Sequence, residues 1–84
     1  MAASRSIRVL YFGGVRELLG VAEESLEGAP GTVGELAAAL TARHPALGPV
    51  LSSLRFAVNE DFAAPSHALA PGDVVAVIPP VSGG

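Results

Sequence analysis

The side chains that could do chemistry in this chain of 84 residues are few, and most lead nowhere. There is no cysteine, so disulfides, thiolate nucleophiles and cysteine-held metals are all excluded. All five basic side chains are arginine, so the chain has no side-chain amine of its own to capture an activated carbonyl. The two histidines, His44 before Pro45 and His67 in a loop-like stretch, are expected to be ordinary surface residues, and no metal site is expected. Gly13-Gly14 lacks the further glycines and the lysine of a phosphate-binding loop and is expected to be a plain turn. Glu23-Glu24 and Glu60-Asp61 are adjacent acids, on opposite faces of a strand or in a turn, and are expected to be solvated. Arg16-Glu17 sits among apolar residues, and its sequence is equally compatible with a solvated pair and with a partner contact.

What remains is the stretch Val74-Val75-Ala76-Val77-Ile78-Pro79-Pro80-Val81-Ser82-Gly83-Gly84. Pro79 and Pro80 cannot continue a hydrogen-bonded ladder and favour an extended conformation, which sends the chain away from the sheet. Six residues beyond Ile78 reach roughly 20 Å when fully extended. Gly83 and Gly84 have no Cβ, so they can thread a narrow channel and leave the Gly84 carboxylate open to attack from either side. A carboxylate has no leaving group, so its use as an acyl donor requires a second protein to activate it, most simply by adenylation. The absence of cysteine and lysine then means that the chain cannot consume its own activated end.

The elements that must position this arm follow from hydrophobic pattern. Ser6 to Phe12 is expected to be the first strand, Val15 to Gly20 one helical turn, and Val21 to Glu27 the second strand. Thr32-Val33-Gly34-Glu35 matches a capping box, and Val33, Leu36, Ala37 and Leu40 form one helical face, with Pro45 forcing an end near Arg43. A short helical segment is expected around Pro49 to Ser53, a strand at Arg55 to Asn59, a turn at Asn59-Glu60-Asp61 and a short edge strand near His67 to Leu69. The continuous apolar run Val74 to Ile78 predicts a central strand buried on both faces, beside the first strand. The sum is an α+β roll: a mixed sheet of four to five strands wrapped around one main helix, in a single domain 1–78 followed by a flexible tail 79–84.

Half the residues are apolar and 15% are charged, which excludes a disordered segment, and a net charge of -3 without clustered cations argues against nucleic acid. No apolar run is long enough to span a membrane, and residues 1–6 lack a signal-peptide core, so a cytoplasmic protein without membrane association is expected.

"VLYFGGVRELLG" at Val9 to Gly20, "FAVNEDF" at Phe56 to Phe62 and "PGDVVAVIPPVSGG" at Pro71 to Gly84 together resemble the small, sulfur-carrying subunits of molybdopterin synthase. The resemblance covers nearly the whole chain; the main departure is Ser82, where threonine is common in that family. It implies a ubiquitin-like β-grasp fold and a subunit that is not an enzyme in isolation. It implies that Gly84 is adenylated by an E1-like activating enzyme, which uses the ATP, and is then converted to a thiocarboxylate by a sulfur donor. Pro79, Pro80, Val81, Ser82 and Gly83 would enter the large synthase subunit, where sulfur passes to cyclic pyranopterin monophosphate during molybdenum cofactor synthesis. The assembly implied is a dimer of heterodimers, with no cofactor bound by this chain. Phe12 and Ile78 match a hydrophobic contact surface of the family, though as strand residues they also suit a core, and Arg16 matches a contact to the activating enzyme. A thiamine-type carrier shares the fold and the glycine pair, and a protein modifier or an inert β-grasp module is the alternative of another class.

Overall fold

A computed structural model describes residues 6–28 and 30–80. Its elements run β1 (Ile7–Tyr11), α1 (Gly13–Leu19), β2 (Glu23–Leu26), α2 (Val33–Arg43), a 3₁₀ helix (Pro45–Ser53), β3 (Arg55–Val58), β4 (Asp61–Phe62) and β5 (Val74–Ile78). The five strands form one mixed sheet in the order β2-β1-β5-β3-β4. β5 lies in the middle, parallel to β1 through Arg8↔Val74 to Tyr11↔Val77 and antiparallel to β3 through Arg55↔Ile78 to Val58↔Val75. The α+β roll and the central place of the last strand match the sequence-based expectation.

α2 begins where the capping box puts it. The Thr32 hydroxyl accepts from the Glu35 amide at 3.1 Å, and the Glu35 carboxylate reaches back to the Gly31 amide at 2.7 Å, so two otherwise orphaned donors are satisfied. Val33, Leu36 and Leu40 on its inner face are at most 1% exposed and pack on Ile7, Val9 and Tyr11 of β1 and on Val75 and Val77 of β5. Burial of each such side chain contributes about 1.5–3 kcal/mol, which makes this single layer the source of the stability of the fold. Among the described residues no buried side-chain polar atom lacks a hydrogen-bond partner, and no helix is long and apolar enough to cross a membrane.

Four expectations are corrected. Gly13 and Gly14 are not a closing turn but the first residues of α1, with Gly13 at φ +55°, a value that suits glycine. The edge strand is Asp61–Phe62, not the stretch near His67 to Leu69, where only Ala68 bridges to Thr32. The reason is the hairpin turn: Asn59 and Glu60 both take left-handed φ, 50° and 77°, the geometry of a two-residue loop whose twist matches the strands. That turn brings Asp61 straight back opposite Val58. β5 is not buried on both faces either: Val75 and Val77 are fully buried, while Val74, Ala76 and Ile78 are half-buried. A run of apolar residues says nothing about whether a second layer exists, and on this face there is none among the described residues. The helical segment expected at Pro49 to Ser53 begins earlier, at Pro45, and is of the 3₁₀ type.

Candidate functional site

The candidate site is the rim of the sheet where the parallel strands β1 and β5 both end. β1 turns there into α1, and β5 runs into Pro79 and Pro80, the last residues described. The Phe12 amide donates to the Val77 carbonyl at 3.3 Å, the last rung before the prolines break the ladder. The Pro79 ring then lies against Gly13, where a Cβ would stand 3.1 Å from its Cγ, so the root of the arm is packed on the first turn of α1. Val81, Ser82, Gly83 and Gly84, expected to form the working end, lie outside the described residues.

On one side of this root is the uncovered face of the sheet. Alternation along β1 and β5 puts Leu10, Phe12, Val74, Ala76 and Ile78 on it, and a concavity of about 390 Å³ opens between Leu10, Phe12, Val74, Ala76 and the turn residues Asn59 and Glu60. That turn is fixed: the Ala70 amide and the Asn59 side-chain amide donate to the Asp73 carboxylate at 2.8 and 3.1 Å, and the Asn59 side-chain oxygen accepts from Val74 at 3.1 Å. The two donors hold the Asp73 carboxyl below the usual aspartate range. Ile78 pairs in register with Arg55, whose guanidinium lies 5.8 Å from the centre of the Phe62 ring.

Phe12 is 46% exposed and occupies the N-cap position of α1, where it makes no side-chain capping bond. Serine or aspartate there would stabilise the helix, so local stability does not account for an exposed phenyl ring at this point. Arg16 is exposed on α1 and has no ion pair among the described residues. Phe12, Arg16, Ile78, Pro79 and Pro80 therefore gather at one end of the molecule. Phe62, 69% exposed, belongs to the same apolar face through its pairing opposite Ala57 and was not singled out from the sequence. Its alternation with Asp61 was hidden by reading Asp61 into the turn.

A second cluster corrects the reading of the adjacent acids. Glu23 is solvated as expected, paired with Arg8 at 2.8 Å with both side chains more than half exposed, an arrangement worth little energy. Glu24 points to the helical side instead, where its side chain is only 15% exposed. It accepts from the Tyr11 hydroxyl and from His44 Nε2 at 2.6 Å, and forms an ion pair with Arg43, whose Nε lies 3.0 Å away. His44 is accordingly not an ordinary surface residue but ties the end of α2 to the edge strand β2, its ring edge-on to Tyr11. Burial alone would raise the Glu24 carboxyl, but the bonds from Tyr11 and His44 and the charges of His44 and Arg43 outweigh it and hold the group below the usual range. Burial first, then the bond to Glu24, pushes the Tyr11 hydroxyl well above the usual tyrosine range. With an arginine inside the cluster it does not suit a cation, and no group of three or more metal-ligating side chains occurs among the described residues.

Comparison with known proteins gives a consistent set of relatives. The ThiS family profile matches residues 9–84. The chain is 46% identical over 81 residues to the molybdopterin synthase sulfur carrier subunit of Chlamydomonas reinhardtii, a match covering 93% of this chain and 98% of that one. It is 41% identical over 80 residues to the subunit of the same name from Mycobacterium tuberculosis, covering 93% and 96%. Among solved structures, the small archaeal modifier protein 1 of Haloferax volcanii superposes with a TM-score of 0.82 at 32% identity, over 94% of this chain and 99% of that one. The roll is thus the ubiquitin-like β-grasp fold.

Proposed function

The chain belongs to the ThiS family and, within it, to the molybdopterin synthase sulfur carrier subunits, and on that premise we propose that it carries sulfur as a thiocarboxylate on Gly84. The observation that supports this reading best is the way the central strand ends: β5 is clamped between β1 and β3 and then leaves the sheet through Pro79-Pro80, with an apolar face beside the exit. A rigid anchor with a short arm suits delivery of a reactive end into another protein, because the arm has little rotational freedom left to lose on binding.

The chemistry balances as follows. The Gly84 carboxylate attacks the α-phosphorus of ATP on an activating enzyme, pyrophosphate leaves, and an acyl adenylate forms. A sulfide-level donor then displaces AMP, which leaves a thiocarboxylate, a soft anionic nucleophile. In the large synthase subunit the sulfur attacks a carbon of cyclic pyranopterin monophosphate as the carbon–oxygen bond there breaks, and the oxygen leaves with the electron pair and takes up a proton. Water then cleaves the acyl–sulfur bond, so that sulfur stays on the product and the Gly84 carboxylate is restored. The catalytic acids and bases belong to the partners, and this chain binds no cofactor of its own. Phe12 and Ile78 provide apolar contact area for the partner and Arg16 a cation for the activating enzyme, all in the cytoplasm.

The likeness to an archaeal modifier protein supports a second reading, in which the activated Gly84 acylates amines of other proteins. Intact mass of the full chain after incubation with ATP, the activating enzyme and a sulfide source separates the two. Replacement of one oxygen by one sulfur, lost when Gly84 is deleted from a still-folded chain, is the expected result. Conjugates on other proteins in place of that change would favour the modifier reading, and no change in mass would refute both.

A further inference from the structure

Among the described residues the exposed large apolar side chains are Phe12, Leu18, Val50 and Phe62. Phe12 and Phe62 belong to the sheet face. Leu18, 48% exposed, and Val50, 36% exposed, lie elsewhere: on α1 and the 3₁₀ helix, across a groove of about 310 Å³ whose wall includes Pro79 and Pro80. α1 turns Val15 and Leu19 inward, which leaves Gly14 and Leu18, one turn apart, on the groove side. A Cβ at Gly14 would meet nothing within 4 Å, so the open floor of the groove is the space left by the missing side chain. No charged residue lines it, and the one hydroxyl, of Ser53, is turned away to the Val50 carbonyl at 2.8 Å.

We propose that this groove is a second docking site for the large synthase subunit, which seats an apolar side chain between Leu18 and Val50. The inference rests on Gly84 as the sulfur-bearing end. Only Val81, Ser82, Gly83 and Gly84 lie beyond Pro80, about 14 Å at full extension. A protein that encloses Gly84 in its active site must therefore bring its own surface up to the root of the arm. The root has two apolar walls, the sheet face and this groove, and contact with both prevents the carrier from rocking about Pro79. A groove whose lining is mostly aliphatic and carries no charged side chain selects an aliphatic or thioether occupant rather than a charged one.

The test is titration of the full chain with the large subunit by calorimetry, comparing wild type with Leu18→Asp, which puts a charge in the groove, and Gly14→Met, which fills it. Gly14→Met removes no contact and replaces glycine by a better helix former, so it remains informative if Leu18→Asp unfolds. Each folded variant is expected to bind about ten-fold or more weakly, the scale of losing one well-packed anchor, while its thiocarboxylation by the activating enzyme stays at the wild-type rate. Wild-type affinity in a folded variant overturns the groove assignment and leaves the sulfur-carrier reading intact. Wild-type protein that neither binds the large subunit nor acquires sulfur overturns that reading itself. Self-association of the wild type that Leu18→Asp abolishes in sedimentation, with large-subunit binding unchanged, assigns the groove to a second copy and overturns the proposal.

Discussion

Replacing Glu24 with leucine isolates the cluster that joins β2 to the end of α2. In the native protein the carboxylate has three partners, two hydrogen-bond donors and one ion-paired arginine, and they respond differently to its removal. Arg43 has a half-exposed side chain and turns to water at little cost. Tyr11 is 2% exposed, so its hydroxyl is left buried without an acceptor, a loss of about 1–3 kcal/mol. His44, with a side chain 20% exposed, loses a charge-assisted bond but keeps partial access to water. The net expected loss is about 2 kcal/mol, a fall of about 8–16 °C in melting temperature for a domain of this size. Adding Tyr11→Phe to the variant removes the stranded hydroxyl and should recover about 1 kcal/mol, because deleting both partners is cheaper than deleting one. The pH dependence gives an independent check. Glu24 has a folded value below its unfolded one, so the native state binds fewer protons, and its stabilisation is present above about pH 4.3 and disappears as the pH falls through the folded value. Urea unfolding followed by circular dichroism from pH 7 to pH 2.5 should therefore show a shallower acid limb in Glu24→Leu, with the contribution of Asp73 remaining. A variant within about 0.5 kcal/mol of wild type and with an unchanged acid limb would refute the cluster and return Glu24 to the solvated surface.

Three further outcomes follow from the same geometry. Phe12→Asp should weaken partner binding about ten-fold or more while leaving the melting temperature unchanged or higher, since aspartate suits the N-cap position that phenylalanine leaves uncapped; a destabilised variant would show that the ring belongs to the core. Thr32→Ala should cost about 1 kcal/mol and lower the melting temperature by about 4–8 °C in a calorimetric scan, because the Glu35 amide loses its acceptor. Tyr11 is the only tyrosine, so ultraviolet titration reports it alone. Its raised value means that stability is complete below about pH 10 and is lost as the pH rises above it, so phenolate should appear together with unfolding, and ionisation near pH 10 in a folded chain would contradict its burial.

Much of the fold was legible because it rests on local rules. The capping box at Thr32, the helical spacing of Val33, Leu36 and Leu40, the stop before Pro45 and the strand-like runs at β1, β3 and β5 each depend on a few neighbouring residues, and each occurs where the pattern puts it. The break at Pro79-Pro80 and the glycine pair were equally plain, since proline and glycine act through their own covalent geometry. The exclusion of thiol and amine chemistry followed from composition, which no fold can alter.

What the sequence could not determine depends on contacts between distant segments. Glu24 and Glu23 are chemically identical neighbours, and only the register of β2 on β1, together with the end of α2 arriving beside Tyr11, makes one of them a half-buried acceptor and the other a solvated acid. Val74 to Ile78 reads as buried on both faces, yet burial is set by how many layers the chain can build, and a single helix covers only one side of the sheet. The two apolar walls at the root of the arm exist for that same reason: Phe12 caps α1, Leu18 lies on α1 and Val50 on the 3₁₀ helix, and only the parallel pairing of β5 with β1 brings the end of β5 to all of them.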